Sequence, residues 1–293
     1  MSIPIKRVLV ATDFSRAGQC AVDSGAEWAR EARAQLRIVH VTPQQRWLSG
    51  LWGVDAATGD TIERHAANAL KEVAKRADPQ RTLELSTGVL SGAAAASIVR
   101  AARDYQADLI VVGARGERDD TGQHVLGGTS AKLLATAPVP LMLIRRTRKE
   151  PAAGVVAALD LSPRSPAVLK WASFAAGAKH LHAYHVYDVP FAARLEAYGL
   201  AASAIDVYSK QAQAQREADL AALVASIDRS GVTTYVVERG DPGVLVGRYV
   251  ESVRPSLVVV GKHVKVKRPS AASSVGSICR YVANSVAADV LVV

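Results

Sequence analysis

The sequence predicts an α/β fold written twice, as two tandem, doubly wound, Rossmann-like parallel-sheet units. Three observations predict it. The chain has 293 residues, about twice the size of an ordinary domain. Short apolar runs alternate along it with longer amphipathic stretches, which is the pattern of βαβ units. Blocks of the first half recur in the second half in the same order.

The recurrence is the strongest of the three. Val8–Ser15 (VLVATDFS) returns as Val155–Ser162 (VVAALDLS), Leu36–Val41 (LRIVHV) as Leu181–Val186 (LHAYHV), and Leu109–Gly113 (LIVVG) as Leu257–Gly261 (LVVVG). Gly127-Gly128 matches Gly276-Ser277, and Leu141–Ile144 matches Val290–Val293. The offsets drift only between 145 and 149 residues, so the chain is a duplication with small insertions. The break falls in Arg145–Gly154 (RRTRKEPAAG), a polar, proline-containing linker, and separates units 1–147 and 152–293.

Within the first unit, strands are expected near Ile5–Ala11, Leu36–Thr42, Thr82–Thr87, Leu109–Gly113 and Val139–Ile144. Helices are expected near Ala17–Ala34, Ala56–Ala77, Ala93–Tyr105 and Ser130–Ala137. In the second unit the strands fall near Gly154–Asp160, Leu181–Tyr187, Thr233–Glu238, Leu257–Gly261 and Asp289–Val293. Continuous apolar runs suit strands covered on both faces. Each unit is therefore expected to carry its own parallel sheet of about five strands, with right-handed crossovers and helices on both sides.

Composition narrows the function. Hydrophobic residues make up 49% and charged residues 22%, ordinary for a chain with a full core. The 36 basic residues outweigh 27 acidic ones, a net charge of +9 spread over both halves. Such an excess favours phosphate-bearing partners, or is simply a solvated basic surface. Nucleic acid is disfavoured, because aromatics are only 5% and are not interleaved with the basic residues. Cys20 and Cys279 stand alone in opposite halves, without metal-ligand spacing, so no metal site and no disulfide framework is expected. The start, MSIPIKRVLVATD, lacks a secretory apolar region, and no run is long enough to span a bilayer, so a cytoplasmic protein without a membrane partner is expected.

In an open parallel sheet, ligands bind beyond the carboxyl ends of the strands. Asp13, His40 with Val41, and Gly113 stand at such ends. From Gly113 runs G-A-R-G-E-R-D-D-T-G-Q-H-V-L-G-G-T-S. Glycines let a backbone approach a ligand closely, and Gly128, Thr129 and Ser130 lead into a helix start, which is a ready anion site. Arg115 and Arg118 add positive charge. The pattern is neither a Walker loop nor a dinucleotide fingerprint; the alternative is a glycine-rich turn kept for backbone geometry.

Here the chain resembles the universal stress protein family, over essentially its whole length and in two copies. Members that bind ATP carry Gly, two residues, Gly, nine residues, then Gly and Ser or Thr after the fourth strand. This chain reads Gly113-Ala114-Arg115-Gly116, ten residues, then Gly127-Gly128-Thr129-Ser130. Ala137-Pro138-Val139-Pro140-Leu141 is similar to the family's APCPVL ending. The resemblance implies universal-stress-protein-like units, with Asp13 on the adenine side and Val41 as the strand-two contact. Gly113, Gly116, Gly127, Gly128, Thr129 and Ser130 would cradle phosphates, with Arg115 as counter-charge. Asp119 and Asp120 would repel a triphosphate unless they turn outward or hold a magnesium ion.

The second unit departs further. Gly261-Lys262-His263-Val264 lacks the second glycine, and a β-branched residue does not readily take a positive φ. Asp160, Gly261, Gly276 and Ser277 are its weaker candidates, and the basic segment 262–268 holds an anion or faces solvent. His40 and His185 are repeat equivalents and are expected to be structural. Trp47, Leu48, Leu51 and Trp52 form an apolar stretch that is a lid, a partner surface or ordinary packing.

The resemblance thus implies a cytoplasmic stress-response protein that binds ATP or another adenine nucleotide mainly in its first unit. It would act as a sensor or regulatory module, with no catalytic residues and at most slow ATP hydrolysis. Family members pair through their last strand. The tandem chain would satisfy that pairing internally, Pro140–Ile144 against Asp289–Val293, as an internal pseudo-dimer open to further homo-oligomerisation. The alternative is a stress-related scaffold that binds no nucleotide.

Overall fold

The structure, a computed structural model, describes residues 3, 5–43, 56–115, 125–145, 154–187, 202–228, 233–262, 264–265 and 274–293. The first repeat runs β1 (Arg7–Ala11), α1 (Arg16–Ala32), β2 (Gln35–Thr42), α2 (Ala56–Ala77), β3 (Leu85–Ser91), α3 (Ala94–Asp104), β4 (Leu109–Gly113), α4 (Gly128–Thr136) and β5 (Leu141–Ile144). The second runs β6 (Val155–Leu159), α5 (Ser165–Ala176), β7 (Leu181–Tyr187), α6 (Ala202–Ile227), β8 (Thr233–Arg239), α7 (Pro242–Val253), β9 (Leu257–Val260), a short ribbon β10 (Val264–Lys265) and β11 (Ser274–Val275), α8 (Ser277–Ser285) and β12 (Asp289–Val292).

The strand order is β3-β2-β1-β4-β5-β12-β9-β6-β7-β8, a palindrome of the two repeats. Every pairing within a repeat's own five strands is parallel. The sheets are not separate, as the duplication alone suggests. β5 and β12 pair antiparallel, with Leu141, Met142 and Leu143 opposite Val292, Leu291 and Val290, and fuse the halves into one ten-stranded sheet. Apart from Asp289 at the start of β12, both strands are apolar and buried, so each would be a sticky edge without the other.

Alternation sorts the helices. One face of the sheet packs against α1, α2, α5 and α6, the other against α3, α4, α7 and α8. On the first face the repeats meet through Trp28 and Trp171, whose rings stack 6.1 Å apart, with Phe174 5.5 Å from Trp28. On the second face each repeat sends a cation to a helix carboxyl end of the other. Lys262 Nζ donates to the Ala137 carbonyl at 2.9 Å, and the Arg145 side chain donates to the Ala283 carbonyl. Both positions complement the negative end of a helix.

Two local expectations need correction. The third strand is not Thr82–Thr87 but Leu85–Ser91, because Thr82 Oγ1 and the Leu83 N–H both turn back to the Asp78 carboxylate, at 2.9 and 2.8 Å. The helix expected from Ser130 begins at Gly128, with Gly127 as its N-cap. Ser91 closes β3, and Gly92, at φ +125°, makes the turn before α3.

Candidate functional site

In each repeat, strand order reverses beside the first strand, between β1 and β4 and between β6 and β9. The carboxyl ends that part there leave a cleft. In the first repeat it measures ≈ 380 Å³ and is lined from β1, α1, β2, α3, β4 and the start of α4.

Asp13 stands at the end of β1, exposed to the cleft. Its Oδ1 accepts from both the backbone N–H and the hydroxyl of Ser15, and the Ser15 Oγ in turn accepts the Gly18 N–H at 3.1 Å as the N-cap of α1. The carboxylate is thus aimed by the first turn of a helix. Among the described residues nothing engages its Oδ2. The turn costs strain, since Phe14 holds φ at 64°, sparsely populated for a bulky residue, and Leu161 repeats this at 53°. Gly18 is small for a reason: a Cβ there would lie 2.6 Å from Asp13 Oδ1 and 2.7 Å from Thr12 Oγ1.

Opposite lies the start of α4. Gly127 caps it without a side-chain hydrogen bond; its own N–H goes to the Ala114 carbonyl at 2.9 Å, and its carbonyl accepts from Ala131. The first-turn N–H groups of Gly128, Thr129 and Ser130 border the cleft, and a Cβ on Gly128 would meet nothing within 4 Å. Such a helix start attracts an anion. Ser130 is buried, and its hydroxyl donates to the Gly113 carbonyl at 2.7 Å, holding α4 to β4. Gly113 serves packing as well, since a Cβ there would press on the Ala17 backbone at 3.0 Å. Arg115 lines the cleft, and burial together with Arg115 lowers the Arg145 guanidinium to about 10.

The structure brings Asp13, Val41, Gly113, Arg115, Gly127, Gly128, Thr129 and Ser130 to one cleft. Gly116, the acidic stretch Glu117–Asp120 and the apolar stretch around Trp47 and Trp52 lie outside the described residues. The sequence does not mark Thr12, Gly18, Ala94 or Ile98 for the cleft, yet all four line it. The signal for the last two was present: SGAAAASI follows a strand whose end lies on the same sheet edge. His40 and His185 play equal structural parts. Each Nδ1 sits against the carbonyl that follows or closes the first strand, Thr12 at 2.8 Å and Leu159 at 2.9 Å, so each carries its proton there.

The second cleft measures ≈ 260 Å³ and is more apolar, although Asp160, Ser162, Arg164 and Ser277 still line it. By repeat offset, Leu159 replaces Thr12, Ile278 replaces Thr129 and Cys279 replaces Ser130. Burial pushes the Cys279 thiol up to about 12, so it stays neutral. Ser165 replaces Gly18, and its buried hydroxyl is spent on Asp160 Oδ1 at 2.9 Å. Gly261, Gly276 and Ser277 line this cleft as expected. Val264, however, pairs with Val275 across the β10–β11 ribbon, so Val264 sits in extended backbone. Among the described residues no group of His, Cys, Asp and Glu is arranged to hold a metal ion.

Comparison with known proteins agrees with the duplication. The profile of the universal stress protein family matches twice, at residues 4–145 and 154–293. A universal stress protein of Methanocaldococcus jannaschii is 26% identical over 151 residues, half of this chain and 85% of that protein. One of Thermus aquaticus is 32% identical over 149 residues, 48% of this chain and 98% of that protein. Among solved structures, a universal stress protein of Archaeoglobus fulgidus superimposes with a TM-score of 0.72 at 18% identity, covering 98% of this chain and 97% of its own. A functionally unknown Pseudomonas aeruginosa protein also reaches 0.72, at 16% identity, over 99% of this chain and 92% of its own.

Proposed function

This chain belongs to the universal stress protein family in both of its repeats, and we propose that its first repeat binds an adenine nucleotide, with ATP the foremost candidate. One observation carries the reading. A helix start without a side-chain cap, Gly127-Gly128-Thr129, faces an aspartate with an unengaged oxygen across a single cleft, whereas the duplicated cleft keeps Ser162 and Ser277 but has Leu159, Ile278 and Cys279 in place of Thr12, Thr129 and Ser130. The first-turn N–H groups of α4, the Thr129 hydroxyl and Arg115 would take the phosphates. Each favourable helix-end contact to an anion contributes up to about 2 kcal/mol when partly buried. Asp13 would accept from the adenosine portion, and Val41, Ala94 and Ile98 supply the apolar wall that a purine needs.

In this reading the protein is a nucleotide-responsive module of the stress response in the cytoplasm, with ATP hydrolysis slow at most. Among the described residues, no helix is long and apolar enough to cross a membrane. Mass spectrometry of the small molecules released from freshly purified full-length protein tests the reading. An adenine nucleotide at no more than one per chain is expected. Protein that releases none, and that takes up none when ATP is added, would leave a scaffold without a nucleotide.

A further inference from the structure

The first cleft is not built by the first repeat alone. The segment that delivers the chain to α4, residues 125–127, is clamped from two sides. Within its own repeat, the Ala114 carbonyl accepts the Gly127 N–H at 2.9 Å. From the other repeat, Asn284 Oδ1 accepts the Leu126 N–H at 3.2 Å, across 158 positions of sequence. Leu126 is buried in the apolar layer that includes Leu133, Val282 and Ala283, and its hydrogen bond to Asn284 is partly buried. A buried donor left without a partner costs more than a single hydrogen bond gains.

Asn284 is itself aimed. Its Nδ2 donates to the Arg280 carbonyl, one turn back on α8, at 2.7 Å. That bond fixes the amide so that Oδ1 faces the first repeat; the flipped amide would set an N–H against an N–H. α8 and the strand after it are held to the first repeat close by, through the Arg145 side chain on the Ala283 carbonyl and the Arg145 N–H on Asp289 Oδ1 at 2.7 Å.

The second repeat holds the equivalent segment by other means. Where the first has Leu126, it has Val275, paired with Val264 in its own β10–β11 ribbon. Where the second has Asn284, the first has Ala135, which offers no amide in return. One repeat thus secures its helix entry with a ribbon of its own. The other keeps a glycine-rich loop and takes an amide from its neighbour.

We infer that Asn284 is a positioning residue for the first cleft, so that the second repeat completes a site it does not line. The inference rests on the nucleotide reading of that cleft. The clamp acts one residue before the Gly127 cap, at the phosphate end, while Asp13 and the apolar wall are held independently by β1, α1 and α3. Loss of the clamp should therefore loosen phosphate contacts and spare the adenosine end. By linkage, a phosphate bound at α4 would tighten the Leu126–Asn284 contact and with it the seam between the repeats.

Calorimetry of the full-length chain with ATP and with adenosine tests this, on wild type and Asn284→Ala, together with hydrogen exchange at the Leu126 amide. The expected result is a rise in the Kd for ATP of about fivefold, an unchanged Kd for adenosine, and faster exchange at Leu126 that ATP no longer slows as it does in wild type. Equal losses for ATP and adenosine would mean general damage and overturn the positioning role. So would an unchanged ATP affinity in a variant whose wild type binds. A wild type that binds neither ligand would topple the nucleotide reading itself, and this inference with it.

Discussion

At the scale of single residues, the two repeats make a controlled comparison. Asp13 and Asp160 end equivalent strands, and each Oδ1 accepts one backbone N–H and one hydroxyl; Ser15 supplies both to Asp13, whereas at Asp160 the hydroxyl comes from Ser165, the repeat equivalent of Gly18. If Asp13 receives a donor of the adenosine portion, Asp13→Ala leaves that donor unpaired and should weaken adenosine and ATP alike by about 1–3 kcal/mol. Titration of the variant with both ligands checks it. A loss confined to ATP would place Asp13 at the phosphates instead. His185 gives a pH dependence of stability. Burial holds its imidazole below the ordinary range, against the opposing Leu159 carbonyl, and burial together with His180 lowers His182 likewise. The unfolded chain therefore takes up these protons at higher pH than the folded chain. Stability is full above roughly pH 6.5 and is lost as the pH falls below it. Thermal melting from pH 7.5 to 5 should show this fall, and His185→Gln should flatten part of it; an acid limb of unchanged slope would contradict the account. Asp13 and Val41 were legible from sequence because they stand at strand ends, and Gly127 and Gly128 because they precede a helical pattern. Gly18 was not, because it enters the cleft from a helix face, where a small residue reads as packing.

At the scale of elements, legibility followed burial. Strands covered on both faces, such as β4 and β7, were readable to the residue from their apolar runs. β3 was not: it is an edge strand with mixed polar exposure, and the apolar signal that precedes it belongs to a turn organised by Asp78. The α4 start was misplaced by two residues for a related reason. Gly127 and Gly128 read as loop, whereas here Gly127 caps the helix at φ −64° with no need of a side chain. The pairing of β5 with β12 was expected in place and partner, and it has a consequence for the separated repeats. Each would expose a buried apolar strand edge, so residues 1–147 alone should self-associate through β5. Light scattering of that fragment should show dimers or larger species; a soluble monomer would mean that the seam is not what hides the edge.

At the scale of the molecule, the chain is a pseudo-symmetric pair held by a sheet seam, an aromatic contact between α1 and α5, and cross-repeat bonds on the opposite face. Symmetry in the scaffold makes the asymmetry in the clefts informative. One copy has Thr12, Thr129 and Ser130 in its lining; the other has Leu159, Ile278 and Cys279 in their places, a smaller cleft, and the β10–β11 ribbon before its helix. The central claim is that the duplication left one nucleotide site, in the first repeat. Calorimetric titration of the full-length chain with ATP tests it most directly, alongside Gly128→Val and Ser277→Val. The account requires one ATP per chain, binding lost or strongly weakened in Gly128→Val, where the added side chain enters open space at the helix start, and binding unchanged in Ser277→Val. Two equivalent ATP molecules per chain, or full affinity in Gly128→Val, would contradict it.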